Sequence, residues 1–298
     1  MRLVYRQARL FIALIIALGY LSANSPSWAQ SDESPAQLVR KTTENEISSN
    51  NNSLKFIFLD HKETAHGSQT KLMVETRQAT AGMLVEINGK PLTPGQRQAE
   101  EAHLDRLMRN PDELRKKEKS EKEDTDHTER IMRALPDAFR YEPDGTEVGR
   151  QGVGKAGDEL VRLKFHPNPK YNPPSRVEQV LAGMQGFVLI DADKHRIAKI
   201  DGTLIKGVNF GWGILGHLDK GGHFLVEQGD VGEGAWEVTR MNLDFSGKEL
   251  LFKTFSLNSH EFFSDFRPAP ADLTFAQGVE LLKKQEAELG QSKEGDPQ

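Results

Sequence analysis

Residues 187–200 read FVLIDADKHRIAKI, two apolar runs on either side of a short polar stretch. Phe187–Asp191 and Arg196–Ile200 are typical of strands, and Asp193-Lys194 supplies turn-forming residues between them. Strands joined this closely pair antiparallel, because parallel strands need a crossover of a dozen or more residues. The stretch therefore predicts a β-hairpin and, with it, an antiparallel sheet.

The same pattern extends in both directions along the chain. Downstream, strand-like segments recur at spacings of roughly 10 to 12 residues. They are Val208–Leu218, His223–Asp230, Ala235–Ser246 and Lys248–Phe263, with turns at Asp219–Gly222, Gly232–Gly234 and Ser246-Gly247. Upstream, three segments with alternating apolar residues are Leu54–Lys62, Gln69–Ala79 and Met83–Ile87. A meander of short strands with separate helical segments predicts an α+β fold.

One of these segments, Val208–Leu218, suggests that the sheet is curved. Taken as one strand, it has a bulky apolar face formed by Phe210, Trp212, Ile214 and Leu218. Gly211 and Gly213 lie on the other face, where glycines often mark a bend or a close approach. A sheet that bends there could wrap around a helix or an elongated apolar ligand. A β-bulge or ordinary sheet packing is the alternative.

A helical insertion at residues 93–136 separates the two groups of strands. Thr93-Pro94 and Asn110-Pro111 are pairs of a capping residue and a proline, which start helices. Leu114–Asp126 is almost entirely charged, which is typical of a solvated helix and, alternatively, of a partner-binding arm. The last part is amphipathic, with one apolar side formed by Ile131, Met132, Leu135 and Phe139.

The first 29 residues have the three-part order of a secretory signal peptide. Met1–Arg9 carries three arginines and no acid, Leu10–Leu21 is apolar, and Ser27-Trp28-Ala29 places small residues at the cleavage site. An uncleaved membrane anchor is the alternative, but the apolar run is shorter than the ~20 residues that span a bilayer. We therefore expect cleavage near Ala29 and export to the periplasm. Because the chain has no cysteine, it is not expected to be a lipoprotein.

Composition and motifs argue against several functional classes. The net charge of −5 becomes −8 without the three leader arginines, so a nucleic-acid partner is not expected. Gly152–Gly157 and Gly211–Gly216 both spell G-x-G-x-x-G, but neither precedes a helix, which a dinucleotide site requires. His260-Glu261 lacks the second histidine of a zinc helix, since position 264 is serine. With no G-x-S-x-G elbow and no thiol, the sequence predicts no catalytic residue, no cofactor and no metal.

The strand–turn–strand at residues 187–200 resembles the periplasmic lipoprotein-carrier superfamily. This superfamily includes the carrier that moves lipoproteins between membranes, its outer-membrane acceptor, and the sensor domain that restrains an anti-sigma factor. The resemblance is best over Glu159–Pro268, including the hairpins through Phe266-Arg267-Pro268, and looser over Leu54–Asn88. It implies an incomplete antiparallel barrel around helices, whose apolar concave face binds acyl chains or lipid-modified proteins without a cofactor.

The predicted organisation is therefore a leader (1–29), an N-terminal segment with a short helix (30–53), one half-barrel domain (54–290) with the insertion at 93–136, and a disordered tail (291–298). The candidate lipid-lining residues are Phe56, Phe58, Leu72, Val74, Leu84, Phe187, Leu189, Trp212, Leu225, Trp236 and Phe252. Ordinary core packing is the competing interpretation of each.

The expected function is that of a non-enzymatic binding or transport protein of the cell envelope. Its ligands would be lipid or lipoprotein acyl chains, with at most peripheral or transient membrane contact. Two alternatives remain open at this point. One is a protein-binding scaffold or stress-sensing regulator that uses the sheet edge or the charged helix at Leu104–Glu123. The other is an envelope hydrolase, which would need a polar cleft with clustered carboxylates or a Ser/His pair.

Overall fold

A computed structural model describes residues 33–50, 54–210, 216–249 and 253–294. Along these residues, strands and helices alternate in small groups. The helices are α1 (Pro35–Asn50), α2 (Pro94–Arg109), α3 (Pro111–Ala138), the short α4 (Arg176–Gln179) followed by a 3₁₀ turn (Val180–Gly183), and α5 (Phe275–Glu294). The first eight strands are β1 (Phe56–Thr64), β2 (Gly67–Val74), β3 (Ala81–Ile87), β4 (Lys90–Pro91), β5 (Phe139–Val148), β6 (Glu159–Pro167), β7 (Met184–Asp191) and β8 (Arg196–Leu204). The remaining strands are β9 (Val208–Phe210), β10 (Gly216–Leu218), β11 (His223–Gly232), β12 (Ala235–Glu249) and β13 (Lys253–Pro268).

All of these strands join one antiparallel sheet that does not close. Its order is β4-β3-β2-β1-β13-β12-β11-β8-β7-β6-β5, with β10 pairing to β12 and β9. The hairpin predicted from residues 187–200 is present. Strand β7 pairs with β8 along its whole length, from Met184 opposite Leu204 to Asp191 opposite Arg196. The prediction of an α+β fold, with an open curved antiparallel sheet around helices and a helical insertion, is confirmed.

The single strand predicted at Val208–Leu218 is wrong. The structure has two short strands here, β9 and β10, which pair antiparallel with Gly216 opposite Phe210 and Leu218 opposite Val208. The segment therefore folds back on itself, and the two ends of the predicted strand become neighbours. Residues 211–215, including the glycines used to predict curvature, lie outside the described residues.

The turn predicted at Ser246-Gly247 is also wrong, because β12 continues through it and pairs there with β13. Gly247 is needed for a close approach of β10 instead. A Cβ atom at Gly247 would lie 2.0 Å from the backbone oxygen of His217. The glycine thus allows three strands to meet, and it does not reverse the chain.

The insertion forms α2 and α3, and each has the N-terminal cap expected from its sequence. Thr93 forms a capping box with Gln96, and the Asn110 side chain accepts hydrogen bonds from the backbone of Asp112 and Glu113. The charged middle of α3 is solvent-exposed and carries ion pairs such as Lys122–Asp126 at 3.0 Å.

The sheet carries helices on both faces, and residue pairing across neighbouring strands shows which residues belong to each face. Phe224 of β11 pairs with Leu243 of β12, which pairs with Ser259 of β13, so these three residues share one face. Ser259 pairs with Thr64 of β1, whereas Ile57 of the same strand points to the opposite face. We call the face of Phe224 the cavity face and the face of Ile57 the α5 face.

Helices α5 and α2 pack on the α5 face over β1, β2 and β3. The buried residues of this region, which we call the filled core, are Ile57, Leu72, Val74, Ala79, Ala81, Met83, Leu104, Phe275, Val279 and Leu282. Gly278 allows α5 to approach the sheet closely. A Cβ atom there would lie 2.6 Å from Thr76 Cγ2 and 3.1 Å from Val74 Cγ1.

Helix α3 connects the filled core with the cavity face. Leu114, near its start, packs against the filled core. Glu121 accepts a hydrogen bond of 2.9 Å from the backbone N–H of Thr80, in the connection between β2 and β3. Leu135, near its end, is buried at the cavity described below. A helix of 28 residues spans about 42 Å, which is enough to reach both regions.

The two ends of the chain are described only in part. The predicted leader lies outside the described residues, and α5 continues to Glu294, four residues into the segment predicted as a disordered tail. Within the described ranges, no helix is both long and apolar enough to cross a bilayer.

Candidate ligand-binding cavity

A cavity of about 480 Å³ lies between the cavity face of the sheet and helices α1 and α3, and it is partly open to solvent. The sheet contributes residues from β5, β6, β7, β8, β11 and β12. From the helices come Val39, Thr42 and Glu46 of α1, and Ile131, Met132 and Leu135 of α3. Most of the lining side chains are apolar. The cavity therefore offers a guest molecule an apolar surface of both sheet and helix.

Alternation along the strands directs these side chains into the cavity. Phe224 and Val226 of β11 line it, as do Val188 and Ile190 of β7. On the helical side, the apolar stripe of α3 closes the cavity, as expected for the buried face of an amphipathic helix. Tyr141 of β5 fixes the end of this helix, because its hydroxyl donates a hydrogen bond of 2.9 Å to the backbone oxygen of Leu135. Burial raises the pKa of Tyr141 well above its usual value.

A buried carboxylate holds α1 against the sheet. Glu46 is only 3% exposed, and its Oε1 atom accepts three hydrogen bonds. The donors are Ile197 N at 2.6 Å, Gln228 Nε2 at 2.9 Å and Arg196 Nε at 3.0 Å. A buried carboxylate needs such donors, because an uncompensated buried charge is costly. Glu46 thus fixes the spacing between α1 and strands β8 and β11.

A second carboxylate lies at the same end of the cavity. Glu237, at the start of β12, is part of the lining. Burial, reinforced by the nearby Glu75 carboxylate, raises the pKa of Glu237 to about 7, against the lowering effects of Arg196 and Lys55. The Arg196 guanidinium is already engaged by Glu46 and lies over the Trp236 ring, 5.4 Å from its centroid. This end of the cavity is therefore polar and acidic.

The opposite end is apolar. Phe224, Leu243 and Phe245 line the cavity there. Glu237 and Phe245 belong to the same strand, eight residues apart, which corresponds to about 26 Å of strand. The cavity wall thus changes along β12 from acidic to aromatic and aliphatic, which matches a ligand with a polar head and an apolar tail.

Three of the predicted lining residues lie on the opposite face of the same strands. Phe187 lies beneath the Arg162 guanidinium, whose carbon is 3.6 Å from the ring centroid. Leu189 packs in a small cluster with Val153, Leu160, Ala198 and Trp236, and Leu225 alternates with the cavity-lining Phe224 and Val226. The structure therefore places the neighbours of these residues in the cavity.

The predicted residues of the first three strands lie away from the cavity. Leu72 and Val74 are fully buried in the filled core, on the α5 face. Phe58 stacks on Phe266 with ring centroids 5.4 Å apart, and Phe56 meets the same ring edge-on at 5.9 Å. Leu84 of β3 is half-buried, and its backbone N–H donates a hydrogen bond to the Glu100 carboxylate of α2.

Two of the eleven predicted residues, Trp212 and Phe252, lie outside the described residues. Among the other nine, Trp236 is the one that lines the cavity. Sequence reasoning identified the apolar side of α3 but did not assign it to a ligand site. A signal was available for β11, where Leu225 shares its face with the charged Glu227, so the opposite face, with Phe224 and Val226, is the more apolar one. No such signal exists for β7, since Phe187–Ile190 is apolar on both faces.

The structure also places the residues that resemble metal and nucleotide motifs. Within the described parts of the chain, no group of three or more His, Cys, Asp or Glu side chains is placed to hold a metal ion. Gly152–Gly157 leads directly into strand β6, as its sequence predicts, and not into a helix. The turn-flanking His223 pairs with Asp201 at 3.0 Å, and His260 pairs with Asp244 at 3.1 Å, both on the α5 face of the sheet.

The comparisons with known proteins assign no family to the chain. No protein-family model matches the sequence, and no curated protein is significantly similar to it.

Proposed function

We propose that this protein is an exported, non-enzymatic binding protein that accepts the acyl chain of a lipid or of a lipid-modified protein. The observation that carries the proposal is the partly open cavity of about 480 Å³ between the sheet and helices α1 and α3. Its volume lies within the range of roughly 300–1,000 Å³ that is typical of small-molecule sites.

The driving force is the removal of methylene groups from water. Each buried CH₂ contributes about 0.8 kcal/mol, so a chain of about twelve carbons gains roughly 10 kcal/mol before the cost of ordering it. No covalent step and no cofactor is needed for this function. The apolar lining supplied by Ile131, Met132, Val226 and Leu243 suits such a guest.

Two sequence features support a role in the cell envelope. The leader-like order of residues 1–29 favours export to the periplasm, where acyl chains must cross an aqueous space. The hairpin at residues 187–200 resembles the lipoprotein-carrier superfamily, whose members use a curved antiparallel sheet for this purpose. The open antiparallel sheet is the kind of sheet that this resemblance implies.

The test is to express the full chain in a bacterial host, purify the exported protein and analyse it by native mass spectrometry. We expect a co-purified lipid or, after delipidation, binding of monolauroylglycerol in calorimetry. Val226→Phe should abolish binding, because the new ring occupies the cavity. The control is Val148→Phe on β5, where the side chain is 69% exposed and binding should stay unchanged.

Two results would contradict the proposal. One is folded wild-type protein that carries no lipid and binds no monolauroylglycerol. The other is Val226→Phe protein that binds the lipid as tightly as the wild type, which would place the site elsewhere.

A second candidate function, a scaffold for an envelope protein, is favoured by the exposed charged part of α3. Lys119 and Lys122 have side chains that are 78% and 73% exposed, respectively. The double variant Lys119→Glu/Lys122→Glu should weaken partner capture and leave lipid binding intact if this candidate applies. Deletion of α3 is not a suitable test, since its last turns line the cavity.

A further inference from the structure

The polar end of the cavity carries charge of one sign. Among the described residues that line it, the charged side chains are Glu46 and Glu237, and none is a lysine or an arginine. Glu46 is satisfied by three donors, and Arg196, a cation that acts on Glu237, is occupied by Glu46. An anionic head group would therefore meet two carboxylates in the lining, and Lys55, the other cation that acts on Glu237, is not part of that lining.

An unused hydroxyl lies in the same part of the wall. Thr42 of α1 is fully buried, and its Oγ1 atom has no hydrogen-bond partner among the residues that the structure describes. It precedes Glu46 by four residues, so the two side chains lie on one face of the helix. A buried polar atom without a partner costs free energy unless a ligand or water satisfies it. Thr42 therefore points to a hydrogen-bonding group of the ligand at this end.

From these observations we infer that the cavity binds a single-chain lipid in one orientation and selects a hydrogen-bonding head group that carries no negative charge. The head lies at Thr42, Glu46 and Glu237, and the tail lies between Phe224, Leu243 and Phe245. This inference rests on the proposed function and adds the class of ligand. Amine-ended chains are preferred to alcohols, and alcohols are preferred to carboxylates.

The groups that surround the head-group end support this order. Glu75 at the end of the second strand adds a further carboxylate, and Lys55 before the first strand partly offsets it. His127 of α3 also lines the cavity. The high pKa of Glu237 reflects this excess of carboxylates and the burial, since both disfavour a further negative charge. A cationic head removes that penalty, and a carboxylate increases it.

The test is calorimetry of wild-type protein at pH 8 with dodecylamine, 1-dodecanol and dodecanoate, the two ions below their micelle concentrations and the alcohol below its solubility limit. We expect dodecylamine to bind at least about tenfold more tightly than dodecanoate, which corresponds to ~1.4 kcal/mol. Glu237→Gln should reduce that ratio by about tenfold. Thr42→Val should weaken dodecanol binding, because it removes the hydroxyl and keeps the shape of the side chain.

A matched control is Thr43→Val on the same helix. Thr43 is equally buried, but its hydroxyl bonds to the backbone oxygen of Arg40 and does not line the cavity. This variant should leave the preference among the three ligands unchanged.

The outcomes separate this inference from the proposed function. Dodecanoate binding as tightly as dodecylamine to the wild type would overturn the head-group selection while leaving a lipid site, and so would an unchanged ratio in folded Glu237→Gln. Failure of all three ligands to bind folded wild-type protein would overturn the proposed function itself. The wild-type comparison decides the question even if a variant does not fold.

Discussion

The two faces of the sheet carry helices in different ways, and the difference explains why one side is solid and the other hollow. In the filled core, Leu72, Val74 and Phe275 are at most 2% exposed, and Gly278 brings α5 onto the strands. On the cavity face, the lining residues Val226 and Leu243 remain half-buried, because they border the volume between the sheet and helices α1 and α3. Coverage by a helix is therefore not sufficient to fill a core.

The contacts that hold the helices explain this difference. Helix α5 lies directly on the sheet, because a glycine faces the strands and apolar side chains interlock around it. Helix α1 is held by the hydrogen bonds and the ion pair of Glu46, which fix its position through polar atoms at one end of the cavity. An apolar volume remains between these attachments. The variants below test this contrast, in decreasing order of expected effect.

Leucine truncation should separate the two regions most strongly. Leu72→Ala in the filled core should lower the free energy of unfolding by about 4 kcal/mol, because it leaves a cavity among rigid neighbours. Leu243→Ala on the cavity face should cost only about 1 kcal/mol, since that side chain already borders open volume. Urea unfolding followed by circular dichroism measures both values. Equal losses would show that the cavity face is packed as tightly as the filled core.

Loss of the Glu46 carboxylate should have the next largest effect. Glu46→Ala leaves Arg196 without its partner and should lower the free energy of unfolding by about 3 kcal/mol. It should also weaken lipid binding, because α1 loses its fixed distance from the sheet. Both effects are measured by urea unfolding and calorimetry.

The matched variant for this prediction is Lys283→Ala, which breaks the 2.5 Å ion pair between α5 and Asp105 of α2 beside the filled core. It should leave lipid binding unchanged. If Glu46→Ala binds lipid like the wild type, the carboxylate does not control the cavity.

Glu237 should make stability depend on pH. Its pKa is raised from 4.5 to about 7, so the folded protein holds a proton that the unfolded chain releases between these values. Stability therefore falls as the pH rises through that window. Glu237→Gln should be more stable than the wild type by about 2 kcal/mol at pH 8, allowing for partial exposure, and by almost nothing at pH 4. Thermal unfolding of both proteins at the two pH values measures this, and an equal difference at both would contradict it.

The smallest effect is expected on the exposed, charged face of α3. Lys122→Ala removes an ion pair with Asp126 between largely exposed side chains. Such pairs contribute about 0.3–0.5 kcal/mol, so the unfolding midpoint in urea should hardly move. A loss above about 1 kcal/mol would mean that this surface is buried against another part of the protein.

Local sequence patterns were enough to predict much of the fold. The hairpin at residues 187–200 forms as expected, because two strand-forming runs surround a turn. The apolar side of α3 was recognised from its helical spacing, and Ile131, Met132 and Leu135 line the cavity. Phe139, predicted on the same side, begins β5. The strand predicted at Val208–Leu218 failed because no local signal shows that its two ends pair with each other.

The predicted lining residues show what the sequence pattern could not determine. In β7, both faces are apolar, so Phe187 and Leu189 could not be distinguished from Val188 and Ile190 by alternation. Leu72 and Val74 were correctly identified as buried positions, but burial alone does not separate a filled core from a lined cavity. Glu46 and Thr42 of α1 gave no signal, because polar residues on a short helix normally face solvent.

The sequence by itself determined the elements of this protein, since strand alternation, turn residues, helix caps and helical spacing are local properties of the chain. The tertiary structure alone decided which face of each strand holds the cavity and which acids are buried there. That decision depends on contacts between residues far apart in the chain, such as Gln228 with Glu46, which are 182 positions apart. Such contacts follow from the packing of whole helices on the sheet, and no local pattern encodes them.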